Sequence, residues 1–313
     1  YVDSRHTLVS VPVPRNTQMD GMYWAAYAKA GFAIPRGYFM GPTGPDDPRN
    51  TWLPPPRPTS TLLERWASEA VDTNGSQQAG SAYVGGIERA SLWSGTKNSW
   101  MNLHPPGTGD SQIDAMDGAQ QVGFATDENG FPHASLWTGS PESWVNLNPT
   151  GQPGVLGSRA QAVGDGQQGG RAFIASSSWF VSHACVWNGT PESWVDLHPA
   201  PADASFVGAV AGGKQAGYVI MAADNHFHAS LWSGTAASWV DLHPAGAARS
   251  EATSTSGTHQ VGNAEFAGRR RACLWSGSAD SWENLSLALT GSWSSSFAES
   301  VWSDGVTLYV AGH

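Results

Sequence analysis

Tryptophan recurs in this chain at a spacing that leaves few folds open. Trp93, Trp137, Trp187, Trp232 and Trp275 stand 44, 50, 45 and 43 residues apart, and each is followed seven positions later by a second, Trp100, Trp144, Trp194, Trp239 and Trp282. Ten of the 16 tryptophans belong to this pattern, so it organises the chain rather than decorating it. The clearest copy runs from His228 to Pro244, HASLWSGTAASWVDLHP; the others read RASLWSGTKNSWMNLHP, HASLWTGSPESWVNLNP, HACVWNGTPESWVDLHP and RACLWSGSADSWENLSL. A unit repeated at this interval cannot bury its apolar faces alone. Its copies must stack.

Each copy is preceded by a second shared half, AMDGAQQVGFAT, AVGDGQQGGRAF, AVAGGKQAGYVI or STSGTHQVGNAE. One unit therefore offers four β-prone runs separated by Gly, Asp and Ser turns: one starting near the Ala, then QVGxA, HASLW and SWVDL. Four-stranded units of this length, set radially so that their faces are buried, make an all-β fold, a β-propeller. Five full units span residues 68–289, and SSFAESVWSDGVTLYVAGH supplies the first two strands of a sixth. Thr7 to Val13 alternates well enough to lend that half-unit a strand, which predicts six blades closed by N- and C-terminal strands; five blades is the alternative.

The HA-x-L-W…DL and QVG patterns resemble the bacterial extracellular repeats named after a His-Ala-Phe motif. Ser91, Ser135, Cys185, Ser230 and Cys273 stand where that family has Phe. The resemblance covers residues 68–312 and implies a propeller-like fold, but no single chemistry. An extracellular or periplasmic location is the expectation that goes with it.

Residues 1–67 do not repeat and form a separate expectation: a closing strand plus a Pro-rich arm packed on the propeller, residues 68–313. Asp20 to Phe32 has the cap and stop of a short helix. Eight prolines then fall within residues 35–58, which rules out a central strand or a helix there. Tyr23, Trp24, Tyr38, Phe39 and Trp52 favour a packed arm, either covering propeller surface or gating a ligand. The start of the chain lacks a charged-then-apolar leader pattern.

The formal charge is −10 and the only lysines are Lys29, Lys97 and Lys214, which argues against nucleic acid as a partner. No run is apolar for long enough to insert in a membrane as a helix. Cys185 and Cys273 hold equivalent places in units three and five, too far apart for a disulfide, and are expected as buried free thiols.

The position before Ala-Ser/Cys is basic in every unit (Arg89, His133, His183, His228, Arg271). The fourth run carries Asn102, Asn146, Asp196, Asp241 and Asn284. Equivalent residues on different blades cannot meet at one ion, so these sets are expected to bond to turns within a blade. Aligned near the start of the first strand are Glu69, Asp114, Gln161, Gly208, Glu251 and Glu299. Their carboxylates, Glu69, Asp114, Glu251 and Glu299, are the candidate metal ligands of an axial ring that would hold Ca²⁺. The alternative is solvated or backbone-bonded carboxylates.

No nucleophile elbow, Walker loop, zincin helix or zinc-type Cys spacing occurs. The turns joining strands one to two and three to four are nearly constant, while the two-to-three and unit-to-unit connections vary and emerge together on the opposite face. Ligand contacts are expected among the exceptions on that face: Trp179, Phe180, His226, Phe227, Arg269 and Arg270. Two functions remain open. One is a non-catalytic recognition or scaffold module, binding carbohydrate or a protein ligand. The other is a glycan-active hydrolase or lyase with acids at the channel mouth.

Overall fold

The computed structural model describes residues 6–8, 68–176, 179–289 and 294–313. The helix expected over Asp20–Phe32, the Pro-rich arm and positions 9–13 of the expected closing strand lie outside the described residues. Six sheets follow one another along the chain. Five are antiparallel four-stranded meanders, at residues 68–102, 111–146, 155–196, 202–241 and 249–284. They are called units one to five below. The sixth pairs Ala298–Ser303 with Leu308–Gly312, and His6–Leu8 adds a third strand in parallel, His6 opposite Leu308. This third strand is thus parallel to its neighbour, whereas third strands in the other units are antiparallel to theirs.

Each seam between consecutive sheets encloses its own core. Between units three and four, Ala184, Val186 and Leu197 meet Ala202, Val207, Val210, Val219 and Trp232. The first Trp of each pair is the largest side chain in the interior, between 0% and 1% exposed in all five units. Burying an aromatic of this size is the main apolar gain at a seam. First strands of all six sheets line one central cavity of about 760 Å³, from Val71 in unit one to Trp302 in the sixth. The array is propeller-like.

The fourth strands are shorter than the sequence suggests. SWVDL reads as a strand, yet only two residues pair, as in Val240–Asp241. The Ser belongs to a 3₁₀ turn, Ala236–Ser238, and its hydroxyl donates to the Thr235 carbonyl (2.6 Å) while accepting from Ser233 N–H (2.8 Å). A turn held this way cannot also extend as a strand.

Constancy on the turn face has a similar cause. In units two to five a buried Gln before the second-strand Gly staples two turns: Gln121 accepts from Gly139 N–H (2.8 Å) and donates to the Ala119 carbonyl (2.9 Å). Gln168 and Gln215 repeat this and also reach the preceding sheet, at Gln120 (3.1 Å) and Gln167 (2.5 Å). The Gly two residues later allows close approach of the first strand; a Cβ on Gly123 would run into the Gln112 carbonyl oxygen. Opposite that Gly the first strand bulges, with a register shift in every unit and in the sixth sheet.

Candidate functional site: the variable rim

A serine hydroxyl crosses each described seam. Ser111, Ser158, Ser205, Ser250 and Ser296 accept from the backbone N–H of Ala90, Ala134, Ala184, Ala229 and Ala272 in the preceding unit, at 2.8–3.1 Å. The same hydroxyls meet His104, Asn148, His198, His243 and Ser286. His198 Nε2 lies 3.0 Å from the Ala202 carbonyl, so Nε2 carries the proton and Nδ1 accepts from Ser205 (2.8 Å). His243 repeats the arrangement with Ala247 and Ser250. The Asx residues cap the same turns; Asp196 and Asp241 accept from His198 and His243 N–H at 2.8 Å and from the His183 and His228 rings at 2.9 Å. The repeated His and Asx residues belong to this framework. It leaves the residue after each Ser free to vary.

Register shows where the variation falls. The residue after the first-strand Ser sits opposite the residue after the second-strand Gly: Glu69 faces Ser81, Gln112 faces Phe124, Arg159 faces Arg171, Phe206 faces Tyr218 and Glu251 faces Asn263. In the sixth sheet Phe297 and His313 exchange backbone hydrogen bonds at 2.6 and 3.0 Å. No two pairs are alike, although the Ser and Gly before them do not change.

This register sets the expected ring of carboxylates at two levels. Asp114 and Glu299 lie in the bulge, as do Gln161 and Gly208, whereas Glu69 and Glu251 lie two residues earlier and Val71 and Thr253 take their bulge places. The bulge absorbs a residue that a linear alignment misassigns. The acids therefore occupy two levels. Asp114 is taken by the Arg159 fork (2.5 and 2.6 Å), Glu251 accepts from Arg270 (3.1 Å), and Glu299 lies 3.8 Å from His313. Among the described residues no three His, Cys, Asp or Glu side chains are grouped to hold a metal ion. Burial raises the Glu69 and Glu299 carboxyls above the usual range, with Glu88 and Asp114 adding to the rise at Glu69. Burial opposes the charge of Arg159, but Asp114 outweighs it and holds the guanidinium above its ordinary value.

Neighbouring pairs touch around the rim. Arg159 also lies over Phe124 (4.4 Å to the ring centre), and Arg171 over Phe173 and Phe206 (5.4 and 5.5 Å). Phe206, Tyr218 and Phe227 follow in a row with ring centres 5.2 and 4.9 Å apart. Phe206 and Tyr218 line the central cavity. Phe227 lines a smaller pocket of about 90 Å³ between units four and five, with Arg249, Glu251, Asn263, Glu265 and Arg270. Arg249 donates to Glu265 at 2.7 Å.

Of the six ligand contacts expected from sequence, Phe227 and Arg270 come together in this pocket, joined by Glu251. Phe180 is exposed and packs edge-on to Phe173 at 5.1 Å. His226 is exposed, 3.9 Å from Asp224, and Arg269 is exposed at the start of its strand. The side chain of Trp179 lies outside the described residues. Sequence reasoning missed Phe206, Tyr218, Arg249, Asn263 and Glu265. For Phe206, Tyr218 and Asn263 the signal was present: a variable residue directly after a constant Ser, or one different in every copy directly after a constant Gly.

Among solved structures the chain is similar to TolB from Acinetobacter baumannii, at 12% identity and TM-score 0.44, covering 67% of this chain and 51% of that one. It is also similar to a putative TolB from Agrobacterium tumefaciens (12%, TM-score 0.47, 77% and 87%) and to the BP39L lectin from Burkholderia pseudomallei (16%, TM-score 0.40, 67% and 65%). The chain spans about half the length of the first of these. No family model and no curated protein matches the sequence. These similarities are loose, and the chemistry of the site rests on this chain's own residues.

Proposed function

We propose that this chain is a recognition module without catalysis, a closed six-bladed β-propeller that binds carbohydrate through its variable rim. The observation that carries the reading is the set of facing pairs, no two of them alike, while the Ser and Gly before them stay fixed. Constant residues build the scaffold, and variation concentrates where ligands would touch. Half-exposed aromatic rings beside carboxylate, amide and guanidinium groups suit a sugar, which offers an apolar ring face and a fringe of hydroxyls. Closure is supported at the remaining seam by burial: Trp93 is 1% exposed, like its counterparts inside the array.

A second reading, a glycan-active hydrolase or lyase, draws on Glu69, whose raised carboxyl stands beside Asp114. A carboxyl raised by burial and by neighbouring carboxyls is shifted in the direction a general acid requires. A glycan array run with a parallel reducing-sugar assay separates the two. Binding without product supports the module; product that disappears in Glu69→Gln overturns it. Silence in both assays removes carbohydrate as the ligand class and leaves a protein ligand.

A further inference from the structure

We infer that the ligand is an uncharged, extended oligosaccharide, laid along Phe206, Tyr218 and Phe227 and ending in the pocket between units four and five. The inference rests on the carbohydrate reading above and narrows it. Its first support is continuity: Phe206 and Tyr218 belong to the wall of the central cavity, Phe227 to the wall of the pocket, and the three rings adjoin. A single sugar needs one ring face. A row from cavity to pocket suits a chain.

The second support is charge. The pocket holds two guanidinium and two carboxylate groups, and they are matched: Arg249 with Glu265 at 2.7 Å and Arg270 with Glu251 at 3.1 Å. Farther along the rim Arg159 is matched by Asp114. An anionic sugar would have to compete with a carboxylate already in place, and the released Glu would repel it. A cationic ligand meets the opposite obstacle. Hydroxyl groups meet neither, because a guanidinium that gives one N–H to a Glu keeps other donors, and the Glu keeps acceptor capacity. The pocket is thus built to bond in both senses without net charge, as a diol requires.

The test is calorimetry with two sets of probes: neutral gluco-, manno- and xylo-oligosaccharides from monomer to hexamer, and uronate oligomers of the same lengths. The expected result is binding of a neutral series that tightens with length and changes little between low and high salt. Tyr218→Ala and Phe227→Ala should each weaken it by about tenfold or more. Phe227→Trp, which keeps a ring, should retain binding and guards against a folding defect. Glu251→Gln with Glu265→Gln frees both guanidiniums and should raise uronate affinity by about tenfold, with a new salt dependence. Preference of the unmodified protein for uronates, or neutral binding without length dependence, would overturn the inference while leaving the carbohydrate reading in place. Binding of neither series overturns both.

Discussion

In units one, two and four the hydroxyl after the Arg-Ala or His-Ala pair serves two partners. Ser230 donates to the His228 carbonyl (3.0 Å) and accepts from the Trp239 indole N–H (3.0 Å); Ser91 and Ser135 do the same for Trp100 and Trp144. Unit three has Cys185 at this place, and the Trp194 indole N–H, buried, finds no oxygen. Burial pushes the Cys185 thiol well up, so sulfur there is a neutral and weak acceptor. Cys185→Ser is therefore expected to stabilise the protein by about 0.5–1.5 kcal/mol, and Ser230→Ala to cost about 1–2 kcal/mol, both read from chemical denaturation. An unchanged midpoint for both would show that this bond carries no weight. The sequence displayed the Ser/Cys alternation but not its meaning, because the indole partner lies nine positions away across a turn. The Arg249–Glu265 pair was hidden for a similar reason. It joins two strands at a register that only the bulge defines.

At the scale of the element, each seam depends on a neutral imidazole or its substitute. Burial lowers the His198 pKa most, followed by its stacked neighbour His183, against the raising influence of Asp196, Asp203 and the Ala202 carbonyl. His243 is lowered likewise by burial and His228, against the Ala247 carbonyl, Asp241 and Asp224. His104 is lowered by burial and Arg89, with Asp110 and the Thr108 backbone opposing. A folded pKa below the unfolded value means that the unfolded chain binds more protons in acid. The stabilisation is then complete above a pH of about 6.5 and is lost as pH falls through that value. Melting temperature should accordingly fall between pH 7.5 and 5. His198→Asn with His243→Asn should flatten that slope, since Asn148 already accepts from Ser158 in unit two (2.7 Å). A variant with the parent's pH slope would refute the assignment. That the repeated Asx residues bond to turns was legible in the sequence, but not what the residues two positions later, such as Asn148 and His198, bond to. The Ser they meet belongs to the next unit, at a distance along the chain that differs between units, and no linear motif displays it.

For the whole molecule, the repeats made legible the number of complete units, the order of strands and the face on which exceptions gather. They did not show the direction of the third strand of the sixth sheet, because His6–Leu8 carries no copy of the repeat. If the ring closes through that strand, deleting residues 1–13 should lower the melting temperature by at least about 5 °C, equivalent to about 2 kcal/mol. Amides of Leu308–Gly312 should lose protection from exchange in the same variant. Unchanged protection would place closure elsewhere. The central claim is that constant residues build the scaffold while the variable rim binds. Its most direct test is a hydrogen-exchange footprint taken with the tightest-binding oligosaccharide from the array. The account predicts protection at Phe206, at Tyr218 and around the pocket of Phe227 and Arg270, with the W-S-G turns of the opposite face unchanged. Protection confined to those turns, or to the two-residue outer strands, would contradict it.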